Sequence, residues 1–137
     1  MEFAPASHHA AAHIRGGGVS GTVQFTQRPD GVLVSARIFG LPATNPTGFF
    51  ALHIHEGNSC AGAGSHYNPS DAPHPRHSGD LPPLLSCGGT ALSTVLTDRF
   101  SLRDVMGRTV VIHSGPDDFR SQPSGNPGPM LACGVIQ

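Results

Sequence analysis

Residues 48–80 read GFFALHIHEGNSCAGAGSHYNPSDAPHPRHSGD. The first part, Phe49–Glu56, alternates as a strand does: Phe50, Leu52 and Ile54 share one face and are expected in the core. His53 and His55 project together from the opposite face, taken as the outer face, where an ion and solvent can meet. From residue 57 to 87 no strand signal is legible for about thirty positions, and a loop that long in a compact domain is either functional or misassigned. Its side chains favour function. His66, His74, His77 and Asp80 fall within fifteen residues and match a closed, four-coordinate zinc site. Pro73 and Pro75 stiffen the segment and reduce the entropy lost on ordering. Solvated loop histidines are the competing reading, but such a loop has little apolar material to hold it without a metal. His113, in RTVVIHSG, adds a sixth imidazole, and imidazole suits both copper and zinc. The set is large enough for two metal sites.

Outward from that stretch the chain is a series of strands. Val19, Gly21, Val23 and Phe25 alternate with Ser20, Thr22, Gln24 and Thr26. Arg28-Pro29-Asp30-Gly31 is a turn, and Val32, Val34, Ala36 and Ile38 complete a hairpin. Residues 41–48 connect. Further strands are expected over 89–97, 108–113 and 131–136, with one helical turn opened by the capping box at Ser101–Asp104 and a second long loop over 114–129. No helical pattern exceeds two turns and no repeat is present, so the fold class is all-β, an antiparallel sandwich or barrel. From pattern alone an up-and-down order remains open. Residues 1–11 are expected to be a flexible arm before a single domain, 12–137, with His8 and His9 solvated. Met1-Glu2-Phe3 reads as a vector-derived start, with a natural cytosolic N-terminus as the alternative.

Composition narrows the function. The chain has 137 residues, enough for one modest core, with only 12% charged residues, 18 Gly and 13 Pro. Strands joined by ordered loops suit these numbers better than disorder does. A net charge of −1 leaves no basic footprint for nucleic acid. No apolar run reaches the ~18–20 residues of a membrane span, and the N-terminus carries no signal-peptide h-region. Three cysteines leave one odd under any single disulfide, which keeps the redox compartment open on this count.

In order along the chain, GVSGTVQF, GFFALHIHE, HYNP, HSGDL, GRTVVIH, DD and LACGVI resemble the copper/zinc superoxide dismutase family from Gly18 to Ile136. The resemblance implies a Greek-key β-barrel or sandwich of about eight strands with two long functional loops. It implies dismutation of superoxide to dioxygen and hydrogen peroxide by a redox-cycling copper beside a structural zinc. Copper would be held by His53, His55, His66 and His113. Zinc would be held by His66, His74, His77 and Asp80, with His66 bridging as an imidazolate. Asp117 matches the family aspartate that hydrogen-bonds one histidine on each metal. Cys60 and Cys133 match its disulfide, whereas Cys87 has no counterpart and reads as a small buried residue. His66 and His113 would act in catalysis.

The chain departs from the family at the position of the arginine that docks superoxide, which is Met130. The loop before it is short and poor in charge, and the His74–His77 spacer is short too. Arg120 and Arg76 are candidate substitutes for the missing cation. Dismutase activity with weakened substrate guidance is therefore the leading expectation. A copper-binding or copper-storing protein on the same fold is the alternative, since a thioether is a soft ligand for Cu(I). A zinc-only structural module is disfavoured by the intact four-histidine copper set. A secreted or periplasmic location and a monomer or homodimer complete the expectations.

Overall fold

The computed structural model describes residues 8–137. Over these residues the strands are β1 (His9–Gly16), β2 (Val19–Arg28), β3 (Gly31–Phe39), β4 (Phe49–His55), β5 (Asp80–Leu85), β6 (Ala91–Thr97), β7 (Thr109–His113) and β8 (Met130–Val135), with one short helix, α1 (Leu102–Val105), before β7. Period-two alternation becomes burial as expected. Val19, Val23 and Phe25 of β2 and Val32, Val34, Ala36 and Ile38 of β3 all point inward. Their hairpin turns at Pro29-Asp30, pairs Arg28 with Gly31, and carries an Arg28–Asp30 ion pair of 2.9 Å.

All pairings are antiparallel, in the order β5-β4-β7-β8-β1-β2-β3-β6. The sheet curls until β5 and β6 stand side by side without joining the ladder, which makes a nearly closed eight-stranded barrel. Two connections skip neighbours: β3 to β4 and β6 to β7 cross the barrel ends. These are Greek-key crossovers, so the up-and-down order is excluded. The two long loops, 56–79 and 114–129, instead join strands that are adjacent in the sheet. Val23, Phe25, Phe50, Ile54, Ile112 and Ile136 are fully enclosed at the barrel centre. Among the described residues no helix is long and apolar enough to cross a membrane.

Four expectations need correction. β1 starts at His9, inside the segment read as an arm, because Ala10 and Ala12 bury against the core while His9–Gly16 pair with β2; the rest of that segment, residues 1–7, lies outside the described residues. The stretch DLPPLL is a strand, β5, hidden from pattern reading by Pro82 and Pro83. It pairs only with β4, so prolines without N–H donors are tolerated on this edge. Cys87 is exposed, not buried, because it sits in the tight turn between β5 and β6, where its N–H donates to the Thr90 carbonyl. His53 and His55 do leave the core face, but they do not meet solvent: both are buried beneath the long loops.

The loop over 56–79 is fastened to β8 by a disulfide between Cys60 and Cys133, whose Cα atoms lie 5.9 Å apart. The remaining cysteine, Cys87, is free. Half-cystine 133 packs with Ala63 and Val111 in a small apolar cluster on the outside of the barrel. A bridge spanning 73 residues restricts the unfolded chain enough to contribute about 4 kcal/mol on the chain-entropy model. Replacing both Cys60 and Cys133 by serine should lower the unfolding free energy of the metal-free protein by about that amount in a guanidinium titration. A variant with an unchanged midpoint would contradict this account.

Candidate metal centre

The site is built on the outer face of β4. Beyond His55 the chain folds back along that strand: Glu56 N–H donates to the Ser65 carbonyl at 2.9 Å and Tyr67 N–H to the Ile54 carbonyl at 2.8 Å. A second pass follows, with Ile54 N–H donating to the Gly79 carbonyl at 2.8 Å and Gly79 N–H to the Tyr67 carbonyl at 2.9 Å. The approach at Gly79 is so close that a Cβ there would collide with the Ile54 carbonyl oxygen. Only glycine lets the loop lie down, and the roof it forms brings His66 opposite His55 and buries His53 completely.

Hydrogen bonds fix three of the imidazoles. Asp117 is buried and its carboxylate can only accept, so His53 Nε2 and His74 Nε2 both donate to it, at 2.8 and 2.7 Å. His55 Nδ1 donates to the Gly64 carbonyl at 2.7 Å. The lone pairs left over are those of His53 Nδ1, His74 Nδ1 and His55 Nε2, and each of these atoms is buried without a hydrogen-bond partner. His66 Nε2 and His113 Nδ1 are buried without partners as well. Burial pushes His53 and His55 down to about 4 and His113 to about 3, so all three rings are neutral at pH 7. Neutral rings with unshared lone pairs are metal donors.

The donors fall into two adjoining groups. On one side, His66 Nδ1 lies 2.9 Å from Asp80 Oδ1 and 3.2 Å from His77 Nδ1, while His74 Nδ1 lies 3.1 Å from Asp80 Oδ2. His77 Nδ1 stands 3.2 Å from the same Oδ2. Tetrahedral ligands at 2.0–2.1 Å from zinc stand about 3.3 Å apart, so these atoms fit one ion. On the other side, donor atoms of His53, His55 and His113 lie within 4.8 Å of one another. His66 lies between, its ring centroid 3.9 Å from that of His53, 4.9 Å from His55 and 5.2 Å from His77. By distance alone His53 falls into both groups, but Asp117 occupies its Nε2 and leaves one lone pair to give. Burial works to raise the Asp80 and Asp117 carboxyls; hydrogen bonds and charge from the surrounding imidazoles outweigh it and hold both below the usual carboxylate range.

A cavity of about 520 Å³ opens onto His55, His66, His77 and His113. Among the described residues Glu56 is the one carboxylate in its lining, which holds no arginine or lysine; Asn68, Pro123 and Ser124 contribute to the walls. Arg76 and Arg120, the candidate substitutes for a docking cation, are outside it. Met130 also lies outside the lining. It is partly exposed and sits opposite His113 in the β7–β8 ladder, where the register shifts by one residue.

Such a barrel, with the His66 ring lying between a three-histidine group and a His/Asp group, defines a class: β-barrel proteins with two adjoining donor groups that could hold metal ions. The family model for copper/zinc superoxide dismutase matches residues 19–136, and the chain belongs to that family. It is 39% identical to a copper–zinc superoxide dismutase of Xenopus laevis, over 88% of this chain and 90% of the relative. A copper–zinc superoxide dismutase of Dictyostelium discoideum is 34% identical over 90% and 93% of the two chains. The structure of the Cu/Zn superoxide dismutase from Brucella abortus superposes with a TM-score of 0.81 at 27% identity, covering 94% of this chain and 99% of that one. The metals of the family are copper and zinc, and the two donor groups can hold them.

Of the side chains named from the sequence, His66, His74, His77 and Asp80 lie together on one side and His53, His55 and His113 on the other, and Asp117 hydrogen-bonds His53 and His74. Three supporting residues were not legible. Gly125 has a φ of +81°, and a Cβ there would collide with Asp117 Oδ1 and stand 2.6 Å from His74 Nε2. Arg99 donates to the carbonyls of Pro75 and His77, at 2.8 and 3.2 Å. Gln122 holds the main chain of His74. A glycine in a GNPG run and two loop side chains carry no periodic signal.

Asp117→Ala should weaken both metals, each by about 10–100-fold, because it frees two rings to turn. Asp117→Asn keeps the volume but offers one acceptor oxygen where two are used, so it should fail as well. Competition with chelators, run separately for zinc and copper, measures this. Parent-like affinity for either metal in the alanine variant would remove Asp117 from its bridging role.

Proposed function

We propose that the chain dismutes superoxide to dioxygen and hydrogen peroxide, with weak guidance of the incoming anion. Copper would be held by His53, His55, His66 and His113, and zinc by His66, His74, His77 and Asp80. One observation carries the reading: the His66 ring has Nδ1 among the zinc-type donors and Nε2 buried without a partner, and its centroid stands 3.9 Å from that of His53 and 4.9 Å from that of His55. When bound, copper supplies one-electron chemistry between two superoxide ions and zinc fixes the loop and polarises the shared ring. With its Nδ1 committed to the zinc group, His66 can take up and release a proton only at Nε2. The His66 ring lines the neighbouring cavity, so this nitrogen would be the proton donor for the reduced product. His53 and His55 are locked in orientation by Asp117 and Gly64 and hold their lone pairs without reorganising.

Guidance is the weak part. The paired site would carry a formal charge of about +2 after allowing for the imidazolate and Asp80, which draws an anion in. Yet among the described residues the cavity presents Glu56 and no arginine. Steering by charge changes on-rates by about 10–1000-fold, so the missing arginine slows encounter and leaves the chemistry in place. The Cys60–Cys133 disulfide favours an oxidising compartment, secreted or periplasmic. The copper-binding alternative is favoured by one feature, the pairing of Met130 with His113 in the β7–β8 ladder.

His66→Ala should remove zinc and copper together, since this ring alone is shared; full zinc occupancy with a normal copper spectrum in that variant would end the bridging assignment. Met130→Arg separates the two readings. If only a docking charge is missing, the superoxide-decay rate should rise severalfold or more, the gain should shrink as ionic strength increases, and copper affinity should hold. A variant that loses Cu(I) affinity and gains no rate would instead support copper binding as the function.

A further inference from the structure

Gln122 lies in the loop 114–129, 48 residues beyond His74, and its side-chain amide meets both main-chain groups of that histidine. His74 N–H donates to Gln122 Oε1 at 2.9 Å, and Gln122 Nε2 donates to the His74 carbonyl at 2.8 Å. Nε2 also reaches the Arg120 carbonyl at 3.2 Å. A side chain that accepts and donates side by side in this way has to be an amide, because a carboxylate has no proton to give. The ring of His74 is held by the same loop, through Asp117. His77 is held otherwise: its N–H donates to Asp80 Oδ2 at 3.0 Å and its carbonyl accepts from Arg99. Of the zinc-type donors, then, His74 is the one gripped at backbone and ring by the loop 114–129. The two residues that follow Gln122, Pro123 and Ser124, line the cavity onto which His55, His66 and His113 open.

We propose that Gln122 is a positioning residue that couples zinc binding to the wall of the substrate cavity. With His74 committed to a metal, Gln122 is fixed through two hydrogen bonds and Pro123–Ser124 follow it. By the reciprocity of coupled equilibria, an ordered wall in turn strengthens zinc binding. The inference rests on the assignment of zinc to His66, His74, His77 and Asp80.

The test uses the full chain with its disulfide intact and two variants, Gln122→Ala and Gln122→Glu. Zinc and copper affinities are measured by chelator competition, the zinc group is probed by the visible spectrum of cobalt(II) bound there, and amide hydrogen exchange over residues 119–126 is compared with and without zinc. Both variants should bind zinc about 10-fold more weakly or worse and shift the cobalt bands, with copper affinity unchanged. Gln122→Glu should be no better than Gln122→Ala, since it sets a carboxylate against the His74 carbonyl. Zinc should slow exchange over 119–126 in the parent protein and not in the variants. Parent-like zinc affinity and cobalt spectra in both variants, equal loss of copper and zinc, or zinc protection that survives in Gln122→Ala would each overturn the proposal. A parent protein that binds no zinc would instead overturn the zinc assignment beneath it.

Discussion

Asp117 accepts hydrogen bonds from His53 and His74 at once, and most of the centre follows from that single buried carboxylate. A ring whose Nε2 must donate has its Nδ1 lone pair exposed on the far side, and the two far sides face different donor groups. If His53 serves one group and His74 the other, as proposed, the relative placement of the two groups is set by the span of one carboxylate. The arrangement is costly for the protein alone. Several imidazole nitrogens are buried without partners, and each such atom carries a desolvation penalty of about 1–3 kcal/mol. Polar atoms aimed at common points inside a protein are stable only with something to bind, and two metal ions answer that requirement.

The barrel supplies the rigid base for this, and the loops supply the roof. Outside the core, β4 and β7 carry His53, His55, Val111 and His113, side chains that would be wet on an ordinary sheet face. The loop 56–79 has almost no apolar content with which to cover them. Its attachment is instead made of main-chain hydrogen bonds along β4, the disulfide to β8 and the Arg99 contacts. A covering held by directional bonds keeps its donor atoms to within fractions of an ångström, which packing of mobile apolar side chains would not do.

Much of this was written in the chain. Period-two alternation through Val19–Phe25 and Val32–Ile38 identified a barrel hairpin, and the density of histidines between His53 and His77 identified a metal centre. The Greek-key order came from resemblance, since alternation says which face a residue takes and not which strand it joins. The prolines of β5 break the only local signal that strand had, and an edge position is what made them tolerable. Burial of His53 and His55 was misread for a related reason. Alternation distinguishes core face from outer face, but whether an outer face meets water depends on loops whose own path has no period. Gln122, Arg99 and Gly125 belong to that aperiodic part: their roles come from contacts with residues tens of positions away.

The departures from the pattern that the resemblance implies spare the donors. The six histidines, Asp80 and Asp117 gather on the outer face, Met130 stands where the resemblance expects a docking arginine, and Glu56 lines the cavity. These two sets of residues govern different steps. The donors determine redox and proton chemistry once substrate is bound, through contacts of about 3 Å that water and salt hardly reach. The mouth determines how often an anion arrives, through fields that operate over about a Debye length and weaken with salt. On the proposed reading, a change that spares the donors would lower the encounter rate without altering the transition state at the centre.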